Sequence, residues 1–98
     1  MEEIIWLIDA QNDLIEIYNY ISKDSLYYAK KTVYEIIKKV ENLYYFPYIG
    51  RKNITYKHED FRELIYKSYK IIYEIDSSII YIHRIWHSAR LINNISLN

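Results

Sequence analysis

The sequence is poor in the residues that break or cross-link a chain, with no cysteine, one glycine and one proline among 98 residues. The lack of cysteine excludes disulfides, thiolate catalysis and cysteine-ligated zinc. No window of about 18 apolar residues occurs, and no basic segment precedes an apolar run at the N-terminus. We therefore expect a cytoplasmic protein without a membrane span or signal peptide, and with neither a cofactor nor a metal site.

Hydrophobic residues make up 51% of the chain and charged residues 27%, which predicts one soluble domain over residues 1–98 with a single modest core. The formal net charge is zero, but the charge is divided unevenly. Residues 1–50 carry 5 Lys/Arg against 8 Asp/Glu, and residues 51–98 carry 8 against 5. The positive excess therefore falls on the C-terminal half.

The N-terminal half has the pattern of a strand followed by two helices. The run from Ile4 to Ile8 is apolar and rich in β-branched residues, which predicts a buried strand. Asp9 is a candidate N-cap for a first helix of roughly residues 10–22. Apolar residues at helical spacing predict a second helix that ends before Pro47, and the short link between them predicts a helical hairpin.

The C-terminal half predicts three strands, near residues 61–66, 69–75 and 79–86, with residues 51–60 as a polar loop. The connections are of hairpin length, so these strands should form an antiparallel meander. The predicted order is β-α-α-β-β-β, an α+β fold with the helical hairpin on one face of a small, mostly antiparallel sheet and the other face open. The residues that we expect in the core or at its edge are Tyr18, Tyr20, Ile36, Val40, Ile71 and Tyr73.

Basic residues recur among the apolar residues of these last strands, at Arg62, Lys70, Arg84, His87 and Arg90. Packing explains the apolar residues but not the repeated cations along one small sheet. A cationic sheet surface indicates an anionic partner, either nucleic acid or an acidic protein segment.

Six short motifs occur in order over nearly the whole chain. They are Ile-Tyr-x-Tyr-Ile at 17–21, Ala29, Leu-x-x-Phe-Pro-x-x-Gly-Arg at 43–51, Arg-Glu-Leu at 62–64, Tyr-Lys-Ile-x-Tyr at 69–73, and His-x-Ala-Arg at 87–90. Together with the predicted order of elements, they resemble the RelE/ParE superfamily of toxins from type II toxin–antitoxin (plasmid stabilisation) modules. The resemblance implies a growth-inhibiting toxin with a cognate antitoxin as its partner.

The resemblance leaves the target of the toxin open, because RelE-like members cut messenger RNA on the ribosome and ParE-like members inhibit DNA gyrase. The ribonuclease alternative would use arginines to hold phosphate and a histidine as acid or base. Its catalytic residues would be Arg62, Arg84, His87 and Arg90. The further residues predicted to bind a target are Arg51, Tyr69, Lys70 and Trp86, of which Tyr69 or Trp86 could stack on a base.

Two departures from the RelE-like pattern favour the ParE-like mechanism. No tyrosine follows Arg90, where RelE-like nucleases often carry one. The chain is also neutral, so it gains little general attraction to ribosomal RNA. Apart from these two departures, Lys70 stands where the family usually has arginine. Lysine lacks the bidentate fork that suits phosphate, so the predicted role of Lys70 is weaker. Our prediction is therefore gyrase inhibition, with RNA cleavage as the alternative and a non-toxic, antitoxin-binding relic as a third possibility.

Overall fold

The computed structural model describes residues 1–52 and 60–87. The elements are β1 (Glu3–Trp6), α1 (Ile8–Ser22), α2 (Leu26–Glu41), a 3₁₀ turn (Asn42–Tyr44), β2 (Arg51–Lys52), β3 (Phe61–Tyr66), β4 (Tyr69–Asp76) and β5 (Ile79–His87). The predicted α+β fold is confirmed. The prediction of a loop over residues 51–60 is wrong at its start, because Arg51 and Lys52 form a short strand paired with Glu63 and Arg62. No helix in the described part of the chain is long and apolar enough to cross a bilayer.

The five strands form one sheet in the order β1-β5-β4-β3-β2. The predicted meander of β3, β4 and β5 is antiparallel, and β1 adds to it in parallel beside β5. Lys67 and Ser77 have φ of 52° and 58°, which lets each hairpin reverse within a two-residue turn. The parallel pair needs a long crossover, and the helical hairpin provides it.

The start of the first helix differs from the predicted one. Helix α1 begins at Ile8, so Leu7 occupies the cap position and Asp9 lies inside the first turn. The Leu7 N–H donates to the Ile82 carbonyl, so the sheet rather than a capping side chain fixes the entry to the helix. Helix α2 does have a side-chain cap, because Ser25 Oγ accepts from the Tyr28 N–H at 3.1 Å.

The core lies between the helical hairpin and one face of the sheet. The buried residues of the helices lie on the predicted apolar faces, and those of the strands alternate along β3, β4 and β5. Burial is confirmed for Ile36, Val40, Ile71 and Tyr73. Tyr18 is half-buried, but the prediction for Tyr20 is wrong, because its side chain is exposed.

The second face of the sheet carries no helix among the described residues, but its centre is not bare. Ile72, next to Ile71 in β4 and therefore on the opposite face, is fully buried. Glu63 lies directly opposite Ile72 in β3 and is also buried. The expectation of an open face therefore holds only toward the margins of the sheet.

Candidate functional site

The structure divides the predicted site residues between the two faces of the sheet. The residues on the face away from the helices, or at its β5 edge, are Arg51, Lys70, Arg84 and Trp86. Those on the helix side are Arg62, Tyr69 and His87. Arg90 lies outside the described residues.

On the face away from the helices, buried Glu63 holds two of the predicted cations. Its Oε2 lies 3.1 Å from Arg51 Nη2 and 3.6 Å from Lys70 Nζ. Lys70 stands directly opposite Trp86, and the Arg84 guanidinium carbon lies 5.7 Å from the centre of the Trp86 ring. Arg51 and Arg84 therefore lie at the two ends of one cross-strand row, and Lys70 and Trp86 lie in the next row on the same face. We call these four residues the cationic row.

Asp13 of α1 fixes one end of the cationic row. Its carboxylate accepts from Arg84 Nε at 2.8 Å and from Arg84 Nη2 at 3.0 Å, a bidentate pair. The same carboxylate accepts from the Ile85 backbone N–H at 2.9 Å. Strand β1 ends at Trp6, opposite Ile82, and beyond this point Asp13 supplies the acceptor for the Ile85 N–H that a neighbouring strand would otherwise provide.

Arg62, on the helix side, binds the chain segment that follows α2. Its Nη1 donates to the Gly50 carbonyl at 2.8 Å, and its guanidinium carbon lies 5.0 Å from the centre of the Tyr48 ring. Arg62 thus both bonds and stacks on the segment that leads from the helical hairpin into β2.

Tyr73 holds the same segment from the centre of the sheet. Its hydroxyl donates to the Pro47 carbonyl at 2.7 Å and accepts from the Gly50 N–H at 3.0 Å. Burial raises the pKa of Tyr73, and the Gly50 hydrogen bond and the charge of Arg62 offset part of that rise. A Cβ on Gly50 would lie 2.5 Å from the Tyr73 hydroxyl, so this approach requires glycine.

Replacing Tyr73 with phenylalanine should lower the free energy of unfolding by about 1–3 kcal/mol, since the Pro47 and Gly50 groups lose their partner. The loss should depend on pH in a defined direction. With the pKa raised in the folded state, the unfolded chain ionises first, so the stability due to this hydroxyl is complete below about pH 10 and falls above it.

Urea denaturation of both proteins from neutral to alkaline pH checks this prediction. The difference between wild type and Tyr73→Phe should be constant at neutral pH and should shrink at alkaline pH. A difference that grows at alkaline pH would contradict the assigned direction.

The segment held by Arg62 and Tyr73 displays large apolar side chains to solvent. We call Tyr44–Ile49 the aromatic loop. Tyr45, Phe46, Tyr48 and Ile49 are between 62% and 74% exposed. Backbone bonds from Tyr45 and Phe46 to the Asn42 carbonyl tie down its start. Rigid exposed aromatic side chains are typical of the anchors of protein interfaces.

His87 and Tyr69 lie together at the other end of the helix side. They are cross-strand partners, with ring centres 4.9 Å apart in an edge-to-face arrangement. Tyr66 pairs with Tyr69, and Arg62 lies four residues before Tyr66 along β3. At about 3.3 Å per residue, Arg62 and His87 are separated by about 13 Å along the sheet. The structure does not bring these two predicted catalytic residues together.

Sequence reasoning missed two buried carboxylates and the aromatic loop. Asp13 lies three residues after Ala10 and four before Ile17, so an acid within the apolar stripe of α1 was the available signal. Glu63 carries no such signal, because alternation along β3 predicts only that its side chain shares a face with Ile65. The pattern predicts that the second helix ends before Pro47, but it does not predict that the side chains of the aromatic loop are exposed.

The fold is that of the RelE/ParE class of toxins. The sequence profile of the family "ParE toxin of type II toxin-antitoxin system, parDE" matches residues 4–92. The chain therefore belongs to the ParE family of type II toxins, as its motifs indicated. No curated protein matches the sequence at a significant level.

Solved structures share the fold. The chain is similar to a protein in a structure of the chromosomal ParDE system from P. aeruginosa, with 23% identity, a TM-score of 0.74, and coverage of 89% of this chain and 96% of that chain. It is also similar to a chain of the RelBE2 toxin–antitoxin complex from Mycobacterium tuberculosis, with 15% identity, a TM-score of 0.66, and coverage of 87% and 95%. A chain of the RelB–RelE complex from Methanococcus jannaschii gives 14% identity, a TM-score of 0.59, and coverage of 92% and 96%.

Proposed function

We propose that this toxin arrests growth by binding and inhibiting DNA gyrase, and that a cognate antitoxin binds and neutralises it. Membership of the ParE family supports a toxin, and the complexes among its structural neighbours support an antitoxin partner. The observation that carries the choice of target is the arrangement of Arg62, Arg84 and His87. Arg62 and His87 lie apart on the helix side, and Arg84 lies at the β5 edge, which favours binding over acid–base cleavage of RNA.

RNA cleavage through the 2′-hydroxyl needs a base, an acid and a cation around one phosphate. Here Arg62 is bonded to Gly50 at one end of the sheet, and His87 lies two strands away beside Tyr69, offset by about 13 Å along the strand direction. Arg84 is held by Asp13 at the β5 edge. A binding inhibitor has no chemical step and requires only a surface complementary to its target.

The aromatic loop is the surface that we assign to gyrase. Its side chains are large and exposed, and its backbone is fixed by Tyr73, Arg62 and Asn42 before any partner arrives. A preorganised loop loses little conformational entropy on binding, so more of its contact energy remains as affinity. Phe46 has an exposed aromatic ring without a hydroxyl group, so we assign it as the anchor of this surface.

Inhibition of supercoiling by purified gyrase tests the proposal. Wild type should inhibit, and Phe46→Ala should raise the concentration for half-inhibition about tenfold or more, as loss of an interface anchor typically does. Tyr20→Ala, which also removes an exposed aromatic ring, is the matched control and should inhibit like wild type. His87→Ala should inhibit as well, because no proton transfer is involved.

Induction of the chain in cells, with supercoiling and mRNA integrity followed together, separates the alternatives. Growth should stop, supercoiling should fall, and co-expression of the antitoxin encoded by an adjacent gene should restore both. Codon-positioned cleavage of ribosome-bound mRNA, lost in a folded His87→Ala variant, would replace gyrase with the ribosome as target. Normal growth with soluble protein present would indicate a relic that keeps only antitoxin binding.

A further inference from the structure

The exposed face of α2 carries a regularly spaced set of residues that belong neither to the core nor to the cationic row. Tyr27, Lys31, Tyr34, Lys38 and Glu41 follow one another at intervals of four, three, four and three residues. This is the spacing at which one helix packs along another. At 100° per residue, these side chains lie within a narrow arc opposite the buried Ile36 and Val40. We call this set the α2 seam.

The α2 seam is exposed but not simply a solvated charged face. Tyr27 and Tyr34 are 67% and 61% exposed, although tyrosine rings gain free energy when they are buried. Lys38 Nζ already lies 5.5 Å from the centre of the Tyr34 ring, so a cation–π contact forms along the seam within one molecule. Aromatic rings and charges at helix-packing intervals indicate a helical partner.

We propose that the α2 seam binds the α2 seam of a second copy of this chain in antiparallel orientation. In such a pair the layers that meet are Lys31 with Glu41 of the second copy, and Tyr34 with Lys38 of the second copy. A two-fold axis crosses the interface at the height of residue 36 along the helix, so each layer occurs twice in the dimer. Both layers then join either opposite charges or a cation and an aromatic ring, and Tyr27 lies beyond them at the N-terminal end of each seam.

The parallel alternative is disfavoured by the same side chains. It would place each residue against its own copy, so Lys31, Lys38 and Glu41 would each meet a like charge. The self-complementarity of the seam is therefore specific to the antiparallel orientation.

The surroundings of the seam add to this charge complementarity. Glu2 and Glu3 line a shallow groove with Glu41, Tyr44 and Tyr45 at the C-terminal end of α2. Near the N-terminal end, Lys30 and Lys31 line a second groove with Tyr27, Tyr34 and one acid, Glu35, so the groove has a small positive excess. Antiparallel pairing places the basic end of each copy on the acidic groove of the other, twice per dimer. The zero net charge of the chain does not oppose such association.

Sedimentation equilibrium of the full chain tests the proposal. Wild type should show a monomer–dimer equilibrium that weakens as salt is added, because the charges are exposed. Glu41→Lys should raise the dissociation constant about tenfold or more, since two attractive pairs become repulsive. Lys31→Glu should have a similar effect. Asp76→Lys makes the same change of charge at the exposed end of β4 and should leave the equilibrium unchanged.

The decisive variant combines both reversals. Lys31→Glu with Glu41→Lys exchanges the two charges across the seam, so the double variant should dimerise like wild type although each single variant does not. Circular dichroism of each variant is the control that it is folded. A chain that stays monomeric at its highest soluble concentration would overturn the proposal, as would a dimer that is insensitive to the single reversals. Monomers whose reversals weaken antitoxin binding would instead assign the seam to the antitoxin.

Discussion

Replacing Asp13 with alanine should lower the free energy of unfolding by about 3 kcal/mol. The change removes the bidentate partner of Arg84 and leaves the Ile85 N–H without its acceptor. Removing one partner of a fully buried pair costs about 3–5 kcal/mol. We expect the lower end, because the Arg84 side chain is 38% exposed and water can solvate part of the released charge.

Three further variants separate the contributions of charge and backbone bonding. Asp13→Asn keeps an oxygen for the Ile85 N–H but cannot neutralise Arg84, so its loss should be smaller than that of Asp13→Ala. In a double-mutant cycle with Arg84→Ala, the two losses should not add, because the residues share one interaction. Urea denaturation of wild type, the three single variants and the double variant gives the loss caused by each substitution and the coupling between Asp13 and Arg84. Additive losses would show that Asp13 does not act through Arg84.

Much of the fold could be predicted because local pattern and tertiary packing agree. The apolar stripes of both helices and the alternation in β4 place Ile36, Val40 and Ile71 in the core from the sequence alone. The prediction fails where the sheet determines the local structure. The backbone bond from Leu7 to Ile82 starts α1 before Asp9, and β2 exists only because Arg51 and Lys52 meet β3.

The candidate site was predictable in its residue types but not in its geometry. The sequence shows that cations recur along the last strands, and four of the predicted residues do form the cationic row. It does not show that Arg62 binds a loop or that Arg84 has a carboxylate partner 71 residues away. Such long-range pairs depend on how the helices dock on the sheet, and no local pattern encodes this.

Replacing Ile71 with alanine should lower the free energy of unfolding by about 2–5 kcal/mol, through lost burial and the cavity left behind. Ile71 is fully buried in β4, between Leu64 of β3 and Ile85 of β5, so neither strand can close the gap without losing its own pairing. Small domains are stable by only about 5–15 kcal/mol, so the variant should unfold at a much lower urea concentration.

Ile65→Ala is the matched control for this prediction. It removes the same atoms from the neighbouring strand, but Ile65 is 42% exposed on the opposite face. Its loss should be below about 1 kcal/mol, mostly from the lower strand preference of alanine. The denaturation midpoints of the two variants therefore compare the same truncation of isoleucine at a buried and at an exposed position. Similar losses would mean that strand preference rather than the helix-side core dominates the stability of this sheet.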